Sequence, residues 1–456
     1  MKQRKNKQDY SSFRDPAGYI YYENGKVYRR INKCYIKTFD HLIESGLYDE
    51  LLNEGLIIKH KEVEREKDYI ILEVEKVPFI SYPYEWCFDQ LRDAALLTLK
   101  INLIALKYGM ILKDASVYNV QFINSKAVFI DTLSFDMYEE GSPWGAYGQF
   151  TRHFIAPLLL MNYVDDRMNS LLKNYIDGVP LDICEAILKK RGGFFAKQHI
   201  VWQNKAVKKH NDDGKTNKNI KINISKQSLI NINMMMQNQI SSLKRKVTYT
   251  EWDNYYENTN YTEEADKLKQ KIVLDFISKI KIKDDFVLDV GANDGKYSRL
   301  VSEYFKNVIS IDIDNNAVNR NYLLSRDKNE NILPLVFDFN NPTPAIGFAC
   351  RERDNFTDRC NIKVVMALAL IHHIAISNNV PLIKIAEWFS EMGEYLIIEF
   401  VPKKDSQVEL LLKTRTDIFD NYNEKYFEEC FSEYFKILEK KKVTGSERTM
   451  YLMVRK

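Results

Sequence analysis

At 456 residues the chain is too long for one ordinary core, and the usual domain size of about 100 to 200 residues predicts two or three folded units. A hydrophobic content of 45% with 28% charged residues excludes a disordered or fibrous protein. The 66 basic and 63 acidic side chains nearly cancel, which excludes a strong overall attraction to nucleic acid or to an anionic membrane.

The N-terminal stretch MKQRKNKQDYSSFRD lacks the apolar core of a secretory signal. Apolar runs such as FIAPLLLM at 154–161 are too short to span a bilayer. A cytoplasmic location is therefore expected. The six cysteines include no CxxC pair and no histidine at metal-binding spacing, so we expect free thiols, no disulfide and no metal site.

Residues 1–204 are predicted to form an α+β domain. The Asn24-Gly25 pair predicts a hairpin turn between two strands, and a helix is expected near 39–54. The run YIILEVEKV predicts a further strand, and residues 85–108 have the pattern of a long amphipathic helix.

The stretch LKDASVYNVQFINSKAVFIDTLSF places Asp114 five positions before Asn119 and places Asp131 after a predicted strand pair. This spacing is typical of a kinase catalytic loop and its metal-binding aspartate, and the order of predicted elements also fits a kinase-like fold. However, no Gly-rich loop precedes the motif and Thr-Leu-Ser replaces Phe-Gly after Asp131. One interpretation is a degenerate kinase-like domain; the other is a domain that recognises an acceptor, in which both aspartates form turns and cap helices.

Residues 205–247 are rich in lysine and asparagine and poor in aromatic residues. This composition predicts a linker, or a loosely held helix around the methionines at 234–236, between the first domain and a second domain at 248–456.

The second domain alternates between short apolar runs and amphipathic helical patterns. The runs are FVLDVGA (286–292), NVISIDID (307–314), ILPLVFDF (332–339), KVVMALAL (363–370) and EYLIIEFV (394–401). Continuously apolar runs are typical of parallel strands buried on both faces, so we predict a doubly wound, Rossmann-like α/β sheet. The segments FKILEKKKV and RTMYLMVRK, joined by TGSE, predict a terminal antiparallel hairpin on that sheet.

Polar residues follow the predicted strands where ligands of open α/β sheets bind, outside the strands' carboxyl ends. Asp312 ends the second strand, 21 positions after Gly291, close to the roughly 20-residue interval at which an acid meets ribose hydroxyls. Asp338 ends the third strand, where its side chain is placed to accept from an adenine amino group. The first strand ends in a turn that contains Asp289, Gly291, Asn293 and Gly295.

This set resembles class I methyltransferases that use S-adenosyl-L-methionine, over roughly residues 250–456. Asp289, Gly291 and Gly295 match the acidic-x-Gly-x-Gly-x-Gly motif of that family, and Asn293 stands in place of the middle glycine. A dinucleotide dehydrogenase would instead need G-x-G-x-x-G, which GANDGKYS does not supply.

The resemblance implies S-adenosyl-L-methionine as the cofactor. By resemblance, Gly291 and Gly295 lie beside its methionine part, Asp312 at its ribose and Asp338 at its adenine. Over the whole chain, phrases such as FRDPAGYIYYENGKVYRR, LKDASVYNVQF, SNNVPL and IIEFVPK resemble a bacterial family of large two-domain methyltransferases, some of them described as nodulation-protein-related.

His372 and His373 follow the fourth strand, next to where the methyl group of the cofactor would lie. A histidine of near-neutral pKa is a suitable general base for a hydroxyl acceptor; alternatively, these histidines pack or cap a helix. Enzymes that methylate amino groups usually carry Asn or Asp followed by Pro-Pro and an aromatic residue here, and this chain does not.

We therefore expect O-methylation of a small molecule, sugar or lipid-linked acceptor, with no nucleic acid partner. The alternatives are a non-catalytic, methyltransferase-like binding or assembly module, and phosphotransfer in the first half. Ahead of the sheet, a cluster of aromatic residues predicts a lid over the cofactor or ordinary packing: Trp252, Tyr255, Tyr256 and Tyr261.

Overall fold

The structure is a computed structural model that describes residues 8–212, 223–245, 263–283, 285–359, 361–413 and 415–456. The chain divides into two compact units. Unit 1 comprises Met1–Val247 and Ala345–Asp354, and unit 2 comprises Thr248–Pro344 and Asn355–Lys456. Among the helices of these described ranges, none combines the length and apolar character needed to cross a membrane.

Unit 1 has an α+β architecture. Its strands are β1 (Gly18–Glu23), β2 (Lys26–Asn32), β3 (His60–Arg65), β4 (Tyr69–Val74), β5 (Met110–Leu112), β6 (Val120–Ile123), β7 (Lys126–Phe129) and β8 (Phe135–Met137). Its helices are α1 (Ile36–Glu44), α2 (Leu47–Asn53), α3 (Phe88–Lys107), α4 (Tyr147–Phe150), α5 (Ala156–Tyr163), α6 (Leu171–Asn174), α7 (Leu181–Leu188), α8 (Phe194–Asp212) and α9 (Lys226–Ser242).

The first four strands form an antiparallel sheet in the order β1-β2-β4-β3, while β5 pairs with β8 and β6 with β7. Asn24 and Gly25 both have positive φ, +49° and +78°, as a tight hairpin turn requires. The helix expected near 39–54 is divided into α1 and α2, because Gly46 takes a left-handed conformation between them. The long helix predicted at 85–108 is α3.

Residues 226–242, for which the sequence left a linker and a loosely held helix around the methionines as alternatives, form helix α9. Leu229, Met236 and Ile240 lie on one buried face of this helix, and the buried Asn233 accepts a hydrogen bond from Asn102 of α3 at 3.0 Å. Their spacing of seven and four residues follows the helical repeat, so a polar composition conceals a helix that packs in unit 1. Residues 213–222 of the predicted linker lie outside the described ranges.

Unit 2 contains the predicted sheet. Its strands are β9 (Phe286–Val290), β10 (Asn307–Asp312), β11 (Ile332–Val336), β12 (Ile362–Ala367), β13 (Gly393–Phe400), β14 (Phe435–Lys442) and β15 (Thr449–Arg455). Its helices are α10 (Glu263–Ser278), α11 (Lys296–Val301), α12 (Asn315–Lys328), α13 (Phe356–Arg359), α14 (Leu382–Met392), α15 (Ser406–Lys413) and α16 (Glu424–Tyr434).

The sheet has the order β11-β10-β9-β12-β13-β15-β14. Strands β9 to β13 are parallel, and β15 and β14 form the antiparallel hairpin beside β13. The prediction of a doubly wound α/β sheet with a terminal hairpin is confirmed. The strand order reverses between β9 and β12, so the carboxyl ends of these two strands mark the topological switch point where open sheets bind ligands.

Helix α10 packs against this sheet through an apolar stripe that includes Ile272, Val273 and Phe276. Burial of side chains of this size stabilises a fold by about 1.5 to 3 kcal/mol each. The stripe fixes the rotation of α10, and it thereby directs Lys269 of the same helix into the interior, where only 3% of its surface is exposed.

Candidate functional site

The turn after β9 requires glycine at two positions. Gly291 and Gly295 have φ angles of +74° and +83°. A Cβ atom at Gly291 would lie 3.1 Å from Leu370 Cδ1, and one at Gly295 would lie 2.4 Å from Asn321 Oδ1. Asn293, in place of the middle glycine, has a φ of +50°, in the left-handed region that asparagine tolerates better than most residues. The turn therefore has a close-packed backbone with no side chain at either glycine.

Asp289 lies beneath this turn rather than at the mouth of the sheet. Its side chain is only 2% exposed and accepts a hydrogen bond from Ser298 Oγ of α11 at 2.6 Å. Ser298 in turn contacts Ser310 Oγ of β10 at 3.0 Å. Burial raises the pKa of Asp289 to about 6. Asp289 thus fixes the start of α11 to the sheet and positions the glycine turn.

Asp312 lies at the carboxyl end of β10 and faces the glycine turn. Its Oδ2 accepts from the backbone N–H of Asn293 and its Oδ1 from that of Asp314, both at 2.8 Å. Each carboxylate oxygen has a second lone pair for a further donor, so the group can bind two adjacent hydroxyls. Burial raises the pKa of Asp312 to about 6, although the backbone N–H groups of Asp314, Asn293 and Ile313 favour the charged form.

This pKa predicts a pH dependence of ligand binding. Ionised Asp312 accepts hydroxyl donors and protonated Asp312 does so poorly, so affinity for an adenosine-type ligand is expected to fall about tenfold per pH unit below pH 6. Calorimetric titrations between pH 5 and pH 8 measure this effect. Constant affinity over that range would exclude the role of Asp312.

Protonation of Asp312 or Asp289 is not expected to unfold the protein at low pH, so unfolding through these groups would not explain a loss of ligand affinity. Because folding raises the pKa of each carboxyl group to about 6, folding becomes more favourable through these two groups as the pH falls toward the ordinary aspartate pKa. A melting temperature recorded at each pH separates the two effects.

Asp338 lies two residues beyond the end of β11, at the same edge of the sheet. Its Oδ1 accepts from the backbone N–H of Asn340 at 2.9 Å, which makes it part of a turn. Since β11, β10 and β9 are adjacent parallel strands, their carboxyl ends place Asp338, Asp312 and the glycine turn along one edge.

The two histidines after β12 differ in exposure. His372 is 1% exposed, and its Nδ1 has no hydrogen-bond partner among the described residues. Burial lowers its pKa well below the ordinary value. His373 is half-buried, with its ring centroid 4.0 Å from that of His372, and burial lowers its pKa to about 4. Both rings are neutral at pH 7, and of the two only His373 is partly exposed.

Two features of this edge were missed by the sequence analysis. Ile313, next to Asp312, is 55% exposed, which is unusual for a large apolar side chain. Glu399, at the end of β13, is 0% exposed and pairs with Lys269 at 2.8 Å. The only signal for the second feature was an acid within the apolar run EYLIIEFV.

In unit 1 the three kinase-like positions come together. Asp131 is paired with the buried Arg29 of β2 and accepts from Ser134 Oγ at 2.5 Å, and Asn119 Nδ2 donates to the same Ser134 oxygen at 3.0 Å. Burial would raise the pKa of Asp131, but Arg29 and the hydrogen bonds outweigh it and lower that pKa.

Asp114 accepts from the backbone N–H of Ser116 and from Gln149 Nε2, both at 2.8 Å. Asp131 caps a short helical turn through the N–H of Leu133. Both aspartates therefore form turns and caps, as the second interpretation of this segment expects.

The described residues contain no group of three or more His, Cys, Asp or Glu side chains arranged to hold a metal ion. Within the same ranges the cysteines are free thiols: Cys34, Cys87, Cys184, Cys350 and Cys430. Cys360 lies outside those ranges. So does the aromatic cluster predicted to form a lid or to pack, which consists of Trp252, Tyr255, Tyr256 and Tyr261.

No protein-family model matches the chain. The chain is 31% identical over 457 residues to the nodulation protein NoeA of Rhizobium meliloti (strain 1021), and the match covers 97% of this chain and 95% of that protein.

Solved structures show weaker similarity. The N-methyltransferase NodS from Bradyrhizobium japonicum WM9 is 10% identical, covering 42% of this chain and 97% of its own with a TM-score of 0.32. The magnesium protoporphyrin IX methyltransferase ChlM from Synechocystis PCC 6803, with bound SAH, is 15% identical, covering 45% of this chain and 92% of its own with a TM-score of 0.31.

Proposed function

The chain belongs to the family of the nodulation protein NoeA. From the residues at the switch point of its second sheet, we propose that it is an S-adenosyl-L-methionine-dependent methyltransferase. The proposed acceptor is a hydroxyl group of a small molecule, sugar or lipid-linked compound. The observation that supports the cofactor most directly is the position of Asp312. Its carboxylate is held by two backbone N–H groups beside the glycine turn at the switch point of the sheet.

The residues at this edge fit the parts of the cofactor. Gly291 and Gly295 allow a close-packed turn, in which a Cβ atom would meet Leu370 or Asn321, and this turn offers its backbone N–H groups to a ligand. Asp312 offers one oxygen to each of two ribose hydroxyls. Ile313 offers an exposed apolar surface, and Asp338 an acceptor, on the side where an adenine would follow the ribose.

When bound, S-adenosyl-L-methionine supplies an electrophilic methyl group for in-line transfer to a nucleophile. The protein mainly has to align the acceptor and, for a weakly acidic hydroxyl, to accept its proton. His373 is the proposed base, because it is neutral at pH 7 and partly exposed after β12. Burial lowers its pKa to about 4, so in this state it is a weaker base than the near-neutral histidine that the sequence predicted. His372, which is also neutral but buried, is better suited to supporting the His373 ring.

The acceptor class is tested by metabolite profiling of a deletion strain fed methionine with a labelled methyl group. Loss of label from a methyl ether or ester is expected. Loss of label from a methylated base or lysine would contradict O-methylation.

The base is tested by complementing that strain with histidine variants. His373→Ala is expected to reduce labelling by about 100-fold or more, as loss of a general base does. His372→Phe retains a ring beside His373 and serves as the matched control. Full labelling with His373→Ala would exclude His373 as the base.

Phosphotransfer by unit 1 is the second candidate, and the convergence of Asp114, Asn119 and Asp131 favours it. The ion pair between Arg29 and Asp131 opposes it, because an aspartate that binds Mg²⁺ must have its carboxylate available to the metal.

We therefore expect ATP with Mg²⁺ to leave the melting temperature of the full chain unchanged, because a ligand that does not bind cannot stabilise. A dose-dependent rise with ATP and Mg²⁺, absent with either alone, would establish a nucleotide site. Asp131→Asn, which keeps the side-chain size, is the matched variant for assigning such a rise to this cluster.

A further inference from the structure

A buried network of charged side chains lies beneath the carboxyl ends of β12 and β13. Lys269, Arg448, Glu399 and Asp405 are each 6% exposed or less. Glu399 Oε2 accepts from Lys269 Nζ at 2.8 Å, and Arg448 Nη1 lies 3.9 Å from the same oxygen. Arg448 Nε also donates to Asp405 Oδ2 at 2.7 Å. Two cations and two carboxylates therefore balance inside unit 2.

Glu399 also holds the backbone that follows β12. Its Oε2 accepts from the N–H of Ala369 at 2.6 Å, and Ala369 has a left-handed φ of +52°. The next residue, Leu370, is the side chain that faces Gly291 across the switch point. The buried carboxylate of Glu399 thus connects the charge network to the segment Ala369–Leu370, which lies next to the glycine turn and leads to His373.

Strand register places Glu399 close to the proposed methyl donor. Ile398 of β13 pairs with Ala367 of β12, which pairs with Val290 of β9. Glu399 and Gly291 are the next residues on their strands, separated by β12. Since neighbouring strands are about 4.8 Å apart, the two positions are roughly 10 Å apart.

At such a distance a buried charge changes the affinity of the site for a charged ligand. The methyl donor has a positively charged sulfonium, whereas its product, S-adenosylhomocysteine, has a neutral thioether. With an effective dielectric constant of about 20, one unit charge at roughly 10 Å changes the relative affinity for the two ligands by about tenfold.

We infer that Glu399 is the buried carboxylate that balances Lys269 and Arg448 and so lets the site prefer the cationic methyl donor over its neutral product. This inference rests on the proposed function. Glu399 acts as a positioning and electrostatic residue, through Ala369 and through its charge, and it does not itself bind the substrate.

The test is calorimetric titration of the full chain with S-adenosyl-L-methionine and, separately, with S-adenosylhomocysteine. The Kd of the product divided by the Kd of the donor is the donor preference. In Glu399→Gln the amide oxygen can still accept from Ala369, but the charge is lost. We expect its donor preference to fall about tenfold. Lys269→Met removes a cation instead, so its preference is expected to rise, and the double variant is expected to return near the wild-type value.

Asp275→Asn is the matched control, because it also replaces a carboxylate by an amide on α10 but at an exposed ion pair with Lys279. Its donor preference is expected to equal that of the wild type. If Glu399→Gln weakens both ligands equally, the role of Glu399 is geometric only and the inference is wrong.

If Glu399→Gln does not fold, the Lys269→Met variant tests the inference instead. An unchanged or lower donor preference in Lys269→Met overturns the inference. If the wild-type chain binds neither ligand, the proposed function fails and the inference fails with it. Wild-type binding with an unchanged preference in both variants overturns the inference alone.

Discussion

Replacing Asp312 by alanine is expected to weaken binding of S-adenosyl-L-methionine by about 100-fold or more. Hydrogen bonds to a charged group contribute about 1.5 to 3 kcal/mol each, and Asp312 is placed to accept two from the ribose. The variant also removes the acceptor that holds the N–H groups of Asn293 and Asp314. Calorimetric titration of the wild type and the variant measures the loss.

Two further variants make this result interpretable. Asp312→Asn keeps the side-chain size and one acceptor oxygen, so its loss of affinity is expected to be smaller, about tenfold. Asp327→Ala removes an exposed aspartate of α12 that pairs only with its neighbour Arg326 in the described ion pairs, and it should bind normally. An Asp312→Ala variant that melts like the wild type and binds normally would place the ribose site elsewhere.

Gly295→Ala is expected to destabilise unit 2 by about 3 kcal/mol. A left-handed φ costs a non-glycine residue about 1 to 2 kcal/mol, and overpacking adds about 1 to 3 kcal/mol. The added Cβ would lie 2.4 Å from Asn321 Oδ1, whose side chain also binds Ser310 and Arg299 and so cannot move away freely. For a unit of this size the melting temperature should fall by roughly 6 to 12 °C.

Gly445→Ala separates the two contributions to this loss. Gly445 has almost the same φ, +84°, but its Cβ would meet only Ala265 Cβ at an ordinary 3.6 Å. This control is expected to lose only the stability that the left-handed backbone conformation costs, about 1 to 2 kcal/mol. Equal losses in the two variants would show that Asn321 does not restrict the turn.

The sequence predicts unit 2 well because its signals are local. Five continuously apolar runs became the parallel strands β9 to β13, and the acids that end them are placed by strand direction alone. The φ angles at Gly291 and Gly295 could likewise be expected from a strand that turns sharply into a helix.

Features that depend on contacts between distant residues could not be predicted in this way. His372 and His373 are neighbours in sequence, yet only the packing of the segment after β12 decides that the first is buried. The pairing of Glu399 with Lys269 joins positions 130 residues apart.

Segment 345–354 shows the same limitation. It follows β11 in sequence but belongs to unit 1, where Glu352 pairs with Arg14 at 2.7 Å. The sequence analysis predicted one continuous second domain at 248–456. It could not predict that residues 345–354 belong to unit 1, because no local sequence pattern marks them.

Gly291, Asp312 and Asp338 are proposed to hold S-adenosyl-L-methionine, and calorimetric titration of the full wild-type chain with that compound tests this proposal most directly. We predict saturable binding with one site per chain, and competition by S-adenosylhomocysteine. Absence of binding by either compound at pH 7 to 8, where Asp312 is ionised, would contradict the methyltransferase account and leave the chain as a methyltransferase-like binding or assembly module.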